Sequence, residues 1–239
     1  MGNDLGLSPC ERIRSGAVPD DRPFVAVAVS LSRRRNQWHA GLVYCDAESS
    51  APRLLHLAGD RELVDEPIDA ESLGWDHRFL WMEVQAPMPK RRALAQICRR
   101  VGERVIEQGQ VVRYAVRHYI GRFNQDTGAY EPGNGELGLT CATTVLAVCR
   151  GVGLELVDVA AWPSRDEDAA WIEGVVAYLR GRDPTFATAV ANDGLCPRFR
   201  PHEVAGASLS PTGKVPLAGA LAAAELVVRR YDELFPASE

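Results

Sequence analysis

The sequence lacks the patterns that most directly announce a metal, redox or disulfide protein. Its six cysteines, at positions 10, 45, 98, 141, 149 and 196, contain no C-x-x-C pair and keep no ordered spacing. That argues against a zinc ribbon, a thioredoxin motif and a disulfide framework, so a cysteine with a special role has that role singly. Charge of one sign is lacking too: 27 Lys and Arg face 32 Asp and Glu, for a net charge of −5. Basic stretches such as Arg33–Arg34–Arg35 and Arg99–Arg100 are offset by acidic residues, so no general field attracts nucleic acid. The longest apolar tract, 215–228, is too short to span a bilayer and contains Glu225, so stable membrane insertion is not expected. Residues 1–9 hold no apolar run of the secretory kind, and Gly6 stands where a myristoylation motif needs a hydroxyl. The expectation is a cytoplasmic protein that requires no metal or cofactor; oligomeric state is left open.

What remains is an ordinary globular composition, 46% apolar over 239 residues, enough to build a full core in one domain. Residues 1–22 mix Gly, Pro, Asp and Arg without periodicity and read as a loosely held lead-in to a single domain over 23–239. Four apolar runs then follow at 24–32, 38–45, 53–58 and 78–84. They are short and separated by turn-rich gaps, which predicts an antiparallel meander. From Pro89, Leu94, Ile97, Cys98, Val101 and Val105 recur at helical spacing as far as Gly109. The segment 111–116 is ambiguous between strand and irregular structure. Five Gly, a Pro and two Asn mark 121–138 as a loop. The run 139–153 carries an apolar stripe (Ala142, Val145, Leu146, Cys149) closed by Gly151 and Gly153, a helix expected to be buried on most sides. Further helices are predicted at 166–180, 184–191 and 217–234, those after 182 forming a C-terminal helical extension. Strands first and helices afterwards predict an α+β fold.

Cys141 is the strongest chemical candidate. It follows Thr140, a residue suited to N-capping, and so falls in the first turn of its helix. There, unpaired backbone N–H groups and the helix dipole favour a thiolate, and the same groups can stabilise an oxyanion. A glycine-rich approach, 133–138, is expected to let a substrate backbone come close. A free cysteine with no partner is most often a packing residue, the role assigned to Cys45, Cys98 and Cys149. His39 changes the weighting. It opens a strand, and two positions on lies Gly41, whose bare face leaves a gap in which a helix start can pack. A thiol nucleophile requires a base of this kind within reach. His56, in R-L-L-H-L-A, is the candidate to orient that base through a ring nitrogen. A tight turn placing His56 directly opposite His39 would fall at Ala47–Glu48, which lacks turn residues, so a longer loop with a bulge is expected. Asp46 and Asp60 remain rivals for the orienting role. Tyr114 is a possible oxyanion donor. His77, His118 and His202 are assigned no role.

The stretches W-H-A-G-L-V-Y (38–44), L-L-H-L (54–57) and G-L-T-C-A-T-T-V-L-A-V (138–148) resemble the papain-like cysteine hydrolases of the NlpC type. The order of histidine before cysteine is that of the circularly permuted branch, which includes the lecithin retinol acyltransferase and PPPDE peptidase relatives. The resemblance covers about residues 24–181 and implies an antiparallel sheet packed on a central helix that bears the nucleophile. It further implies attack by Cys141 on an amide or ester carbonyl, His39 as base, His56 as orienting residue, an acyl-enzyme intermediate and no metal. The leading expectation is a hydrolase acting on a peptide, isopeptide or cell-wall-type amide. An acyltransferase or lipid hydrolase using the same residues is the neighbouring reading, and a non-catalytic binding module that keeps the fold is the third. Loops 59–77 and 121–138 are expected to wall the cleft.

Overall fold

A computed structural model describes residues 12–15, 23–32, 37–48, 51–59, 62–68, 78–117, 120–211 and 213–236. Its centre is a six-stranded antiparallel sheet in the order β1-β6-β2-β3-β4-β5. The strands are β1 (Ile13–Ser15), β2 (Phe24–Ser32), β3 (Gln37–Cys45), β4 (Arg53–Ala58), β5 (Glu62–Pro67) and β6 (Phe79–Glu83). The first strand lies within the segment read as a lead-in and pairs with β6, Ile13 opposite Met82. β2 is central and buried on both faces from Phe24 to Ser30, which accounts for its unbroken apolar sequence. On one face, Val25, Val27 and Val29 join Ala40, Leu42, Leu55, Leu57, Leu80 and Met82 in the main core. On the other, Phe24, Ala26, Ala28, Val43, Cys45, Leu54, Phe79 and Trp81 form a separate cluster.

Four helices pack into the main core: α1 (Met88–Gln108), α2 (Cys141–Gly151), α5 (Pro201–Ala207) and α6 (Leu217–Leu234). α1 supplies Leu94, Ile97, Cys98 and Val101, the residues whose spacing announced it. α2 is buried from Cys141 through Cys149, and it packs on β3 and β4. Of the segment taken as a C-terminal extension, α5 and α6 are thus integral to the core under the sheet. The remaining two helices, α3 (Asp166–Arg180) and α4 (Pro184–Asn192), enclose a smaller core with Ala115 and Val116, against which Tyr114 and Trp171 pack. A short hairpin of β7 (Arg122–Phe123) and β8 (Tyr130–Glu131) lies inside the stretch expected to be loop throughout. The architecture is α+β, as the order of elements predicted. Among the described residues, no helix is long and apolar enough to cross a membrane.

Candidate active site

The start of α2 is tightly built. Thr140 has extended backbone geometry and forms a reciprocal capping box: its Oγ1 accepts from the Thr143 amide at 3.2 Å, and its own amide donates to Thr143 Oγ1 at 2.7 Å. Cys141 is therefore the first helical residue, with backbone N–H groups of the first turn around it. The chain reaches this point through a parallel bridge between Tyr114 and Leu139, with Leu139 N–H donating to Arg113 O at 2.8 Å and Ala115 N–H to Leu139 O at 3.2 Å. Gly138 makes that approach feasible, since a Cβ there would lie 1.9 Å from Arg113 O. The glycine expected to admit a substrate backbone instead admits the protein's own.

His39 and His56 come together across β3 and β4. The ladder is continuous from Gly41↔His56 to Tyr44↔Arg53, with no bulge in it; β3 ends at Cys45 and β4 begins at Arg53. This register sets His56 opposite Gly41, and hence diagonal to His39 on the same face. The gap at Gly41 is occupied by β4, not by the helix start: a Cβ there would sit 2.9 Å from His56 Cβ and 3.0 Å from Leu55 O. His39 Nε2 lies 2.9 Å from His56 Nδ1. His56 Nε2 in turn lies 3.2 Å from Glu66 Oε1 on β5. Burial, aided by His56, pushes His39 down to about 3, and burial pushes His56 down to about 4. Both rings are neutral at pH 7, so the contact with Glu66 is a hydrogen bond from an uncharged imidazole, although its distance alone would qualify as an ion pair.

The thiol lies by the β3 residue that follows His39. One residue beyond the last β3–β4 pair, the amide of Ala40 acts on the Cys141 thiol; Ala40 packs in the main core with α2, whereas His39, directly before it, projects from the His56 face. Burial pushes the Cys141 thiol up, while the amides of Ala40, Ala142 and Cys141 and the Arg198 guanidinium pull it the other way. The helix start thus acts in the expected direction, but burial outweighs it. At rest the thiol and the His39 imidazole are both neutral, so neither belongs to a preformed ion pair.

Two further groups act on this thiol. Tyr114 is half-buried, and desolvation together with the neighbouring Cys141 raises its hydroxyl, which stays protonated as a donor. Arg198, which the sequence reading passed over, acts electrostatically on both Cys141 and Tyr114. Its guanidinium stacks over Trp171, Cζ 4.6 Å from the ring centroid. Its backbone is fixed by Asp168 Oδ2, which accepts its amide at 3.2 Å, and by the Trp162 indole, which donates to its carbonyl at 3.2 Å. Arg198 lies in an irregular segment, where no periodic signal could mark it. Glu66 was missed because Glu62–Pro67, rich in charge and ending in proline, reads as loop. Alternation along the strand would have placed Glu66 on the His56 face.

The rivals fall elsewhere. Asp46 is buried at the opposite end of β3, where it accepts from Arg99 Nε of α1 at 2.6 Å. Asp60, His77, His118 and Cys10 lie outside the described residues, as does much of 59–77. His202 packs on Trp38 in the main core, ring centroids 5.3 Å apart. Cys45, Cys98 and Cys149 are core residues. Among the described residues, no group of three or more His, Cys, Asp or Glu side chains is arranged to hold a metal ion. Comparison of the chain with protein-family models, with curated proteins and with solved structures finds no match, so the chemistry of the site rests on its own geometry.

Proposed function

We propose that the protein is a cysteine-dependent hydrolase that cleaves an amide bond through an acyl-enzyme intermediate. The observation that carries this reading is the contact between His39 and His56, with His39 directly preceding Ala40, whose amide acts on the Cys141 thiol in the first turn of α2. Cys141 is the nucleophile: its sulfur attacks the carbonyl carbon while His39 takes the thiol proton, and an S–C bond forms. Because thiol and imidazole are both neutral at rest, proton transfer accompanies attack. Charge developing on the carbonyl oxygen is stabilised by the first-turn amides of α2, the Tyr114 hydroxyl and the positive field of Arg198. His39 then gives its proton to the leaving amine as the C–N bond breaks, and water, activated by the same imidazole, cleaves the thioester. His56 orients His39 throughout. This constellation, base on a strand before a helix-borne cysteine, fits the circularly permuted papain-like layout.

A panel of electrophilic probes carrying peptide, ubiquitin-like and acyl-ester recognition groups tests the reading. Intact-mass measurement is expected to find one covalent adduct, located on Cys141, with an amide-type probe, and none with Cys141→Ala. Adduct formation confined to the acyl-ester probe would assign the site to acyl transfer or lipid hydrolysis instead. A chain that reacts with none of them would be a binding module that keeps the arrangement without the chemistry.

A further inference from the structure

A neutral imidazole has one N–H and one lone pair, so each histidine in a chain can donate through one nitrogen only. In the sequence of contacts Glu66 Oε1, His56 Nε2, His56 Nδ1, His39 Nε2, the separations are 3.2 Å for the first pair and 2.9 Å for the histidine pair. An ionised carboxylate only accepts. The proton of His56 must therefore lie on Nε2, which leaves Nδ1 as the acceptor. His39 must then donate from Nε2, and its lone pair is on Nδ1. We infer that Glu66 is a positioning residue that sets the tautomers of both histidines in series, so that His39 presents Nδ1 as the base. This rests on the reading of His39 as the base for Cys141, and it adds a residue from a third strand to the site.

The sheet is built to hold this line. Glu66 pairs with Leu54, His56 with Val64 and with Gly41, so Glu66, His56 and His39 project from one face of three adjacent strands, each step a diagonal. A side chain at Gly41 would collide with His56 Cβ, so the glycine maintains the spacing between the rings. The other ionisable group placed on this face of β4 and β5 is Glu62, opposite Ala58, while Arg53 and Asp65 pair with each other on the opposite face. Glu66 keeps a quarter of its side chain exposed, whereas His56 is buried and His39 half-buried. The carboxylate also stabilises the positive charge that His56 and His39 share once the thiol proton is taken up.

Nitrogen-15 NMR of histidine-labelled protein reports which ring nitrogen carries each proton, with His39→Gln and His56→Gln used to assign the signals. The full chain is expected to show both His39 and His56 as neutral rings protonated on Nε2. Glu66→Gln keeps an acceptor in place and should retain both tautomers. Glu66→Leu, of similar volume, should release both rings into tautomer mixtures and slow iodoacetamide alkylation of Cys141 roughly tenfold, an effect typical of losing a residue that orients a histidine. A wild-type His39 protonated on Nδ1, or a His39 signal unmoved in Glu66→Leu, would overturn the inference. Tautomers that respond as described, in a protein whose Cys141 reacts no differently without His39, would leave the inference standing and remove the proposed function.

Discussion

Cys141 and Cys149 lie on one helix, about two turns apart, and both are buried. For Cys149, burial pushes the thiol up to about 12 and Glu155 pushes the same way. For Cys141, burial also raises the thiol, but two amides of the first helical turn, the Ala40 amide of β3 and the Arg198 guanidinium oppose it. Exposure therefore does not separate a nucleophile candidate from a packing residue here. What separates them is whether backbone donors remain unspent beside the sulfur, and in a helix such donors exist only in the first turn. The sheet adds the Ala40 amide of β3, the residue that directly follows His39.

The contrast can be broken at the approach to the helix. Gly138→Ala would place a methyl against the Arg113 carbonyl and push apart the bridge that holds Tyr114 beside the site. Chemical denaturation is expected to show a loss of about 1–3 kcal/mol, the usual cost of overpacking a tight contact. Cys141 should lose its distinct reactivity while Cys149 stays protected. A smaller effect is expected from Thr140→Ala, which removes half of the capping box at a cost of about 1 kcal/mol. It frays the first turn and blurs the difference between the two cysteines without abolishing it. Equal stability of this variant and wild type would mean that the cap does not hold the helix start.

Much of this arrangement is legible in the sequence, and the parts that are not share a physical reason. β2, β3 and β4 and the helices α1, α2, α3 and α6 bury continuous or periodic apolar surface, which leaves its trace in residue order. Thr140 before Cys141 marks the helix start for the same local reason. β5 buries Leu63 but otherwise alternates through charged residues to Pro67, as an edge strand can, and Glu66 was hidden with it. The pairing of His39 with His56 depends on a register that the sequence leaves open, because the loop after Cys45 contains no turn motif that fixes it. Tyr114 could be suspected from sequence, but its place next to Cys141 follows from a parallel bridge between residues 25 positions apart (139 − 114). Arg198 reaches the thiol from an irregular segment between α4 and α5, and no local rule connects the two.

The claim that the first turn of α2 and His39 together make a nucleophile is tested most directly by competitive alkylation. Wild-type protein and His39→Ala are treated with limiting iodoacetamide at neutral pH, and modification is quantified at each cysteine by peptide mass spectrometry. The account predicts that Cys141 is alkylated ahead of the other five cysteines, with the preference over Cys149 reduced when His39 is absent. Labelling spread evenly among the cysteines, or a Cys141 preference unchanged in His39→Ala, would contradict it.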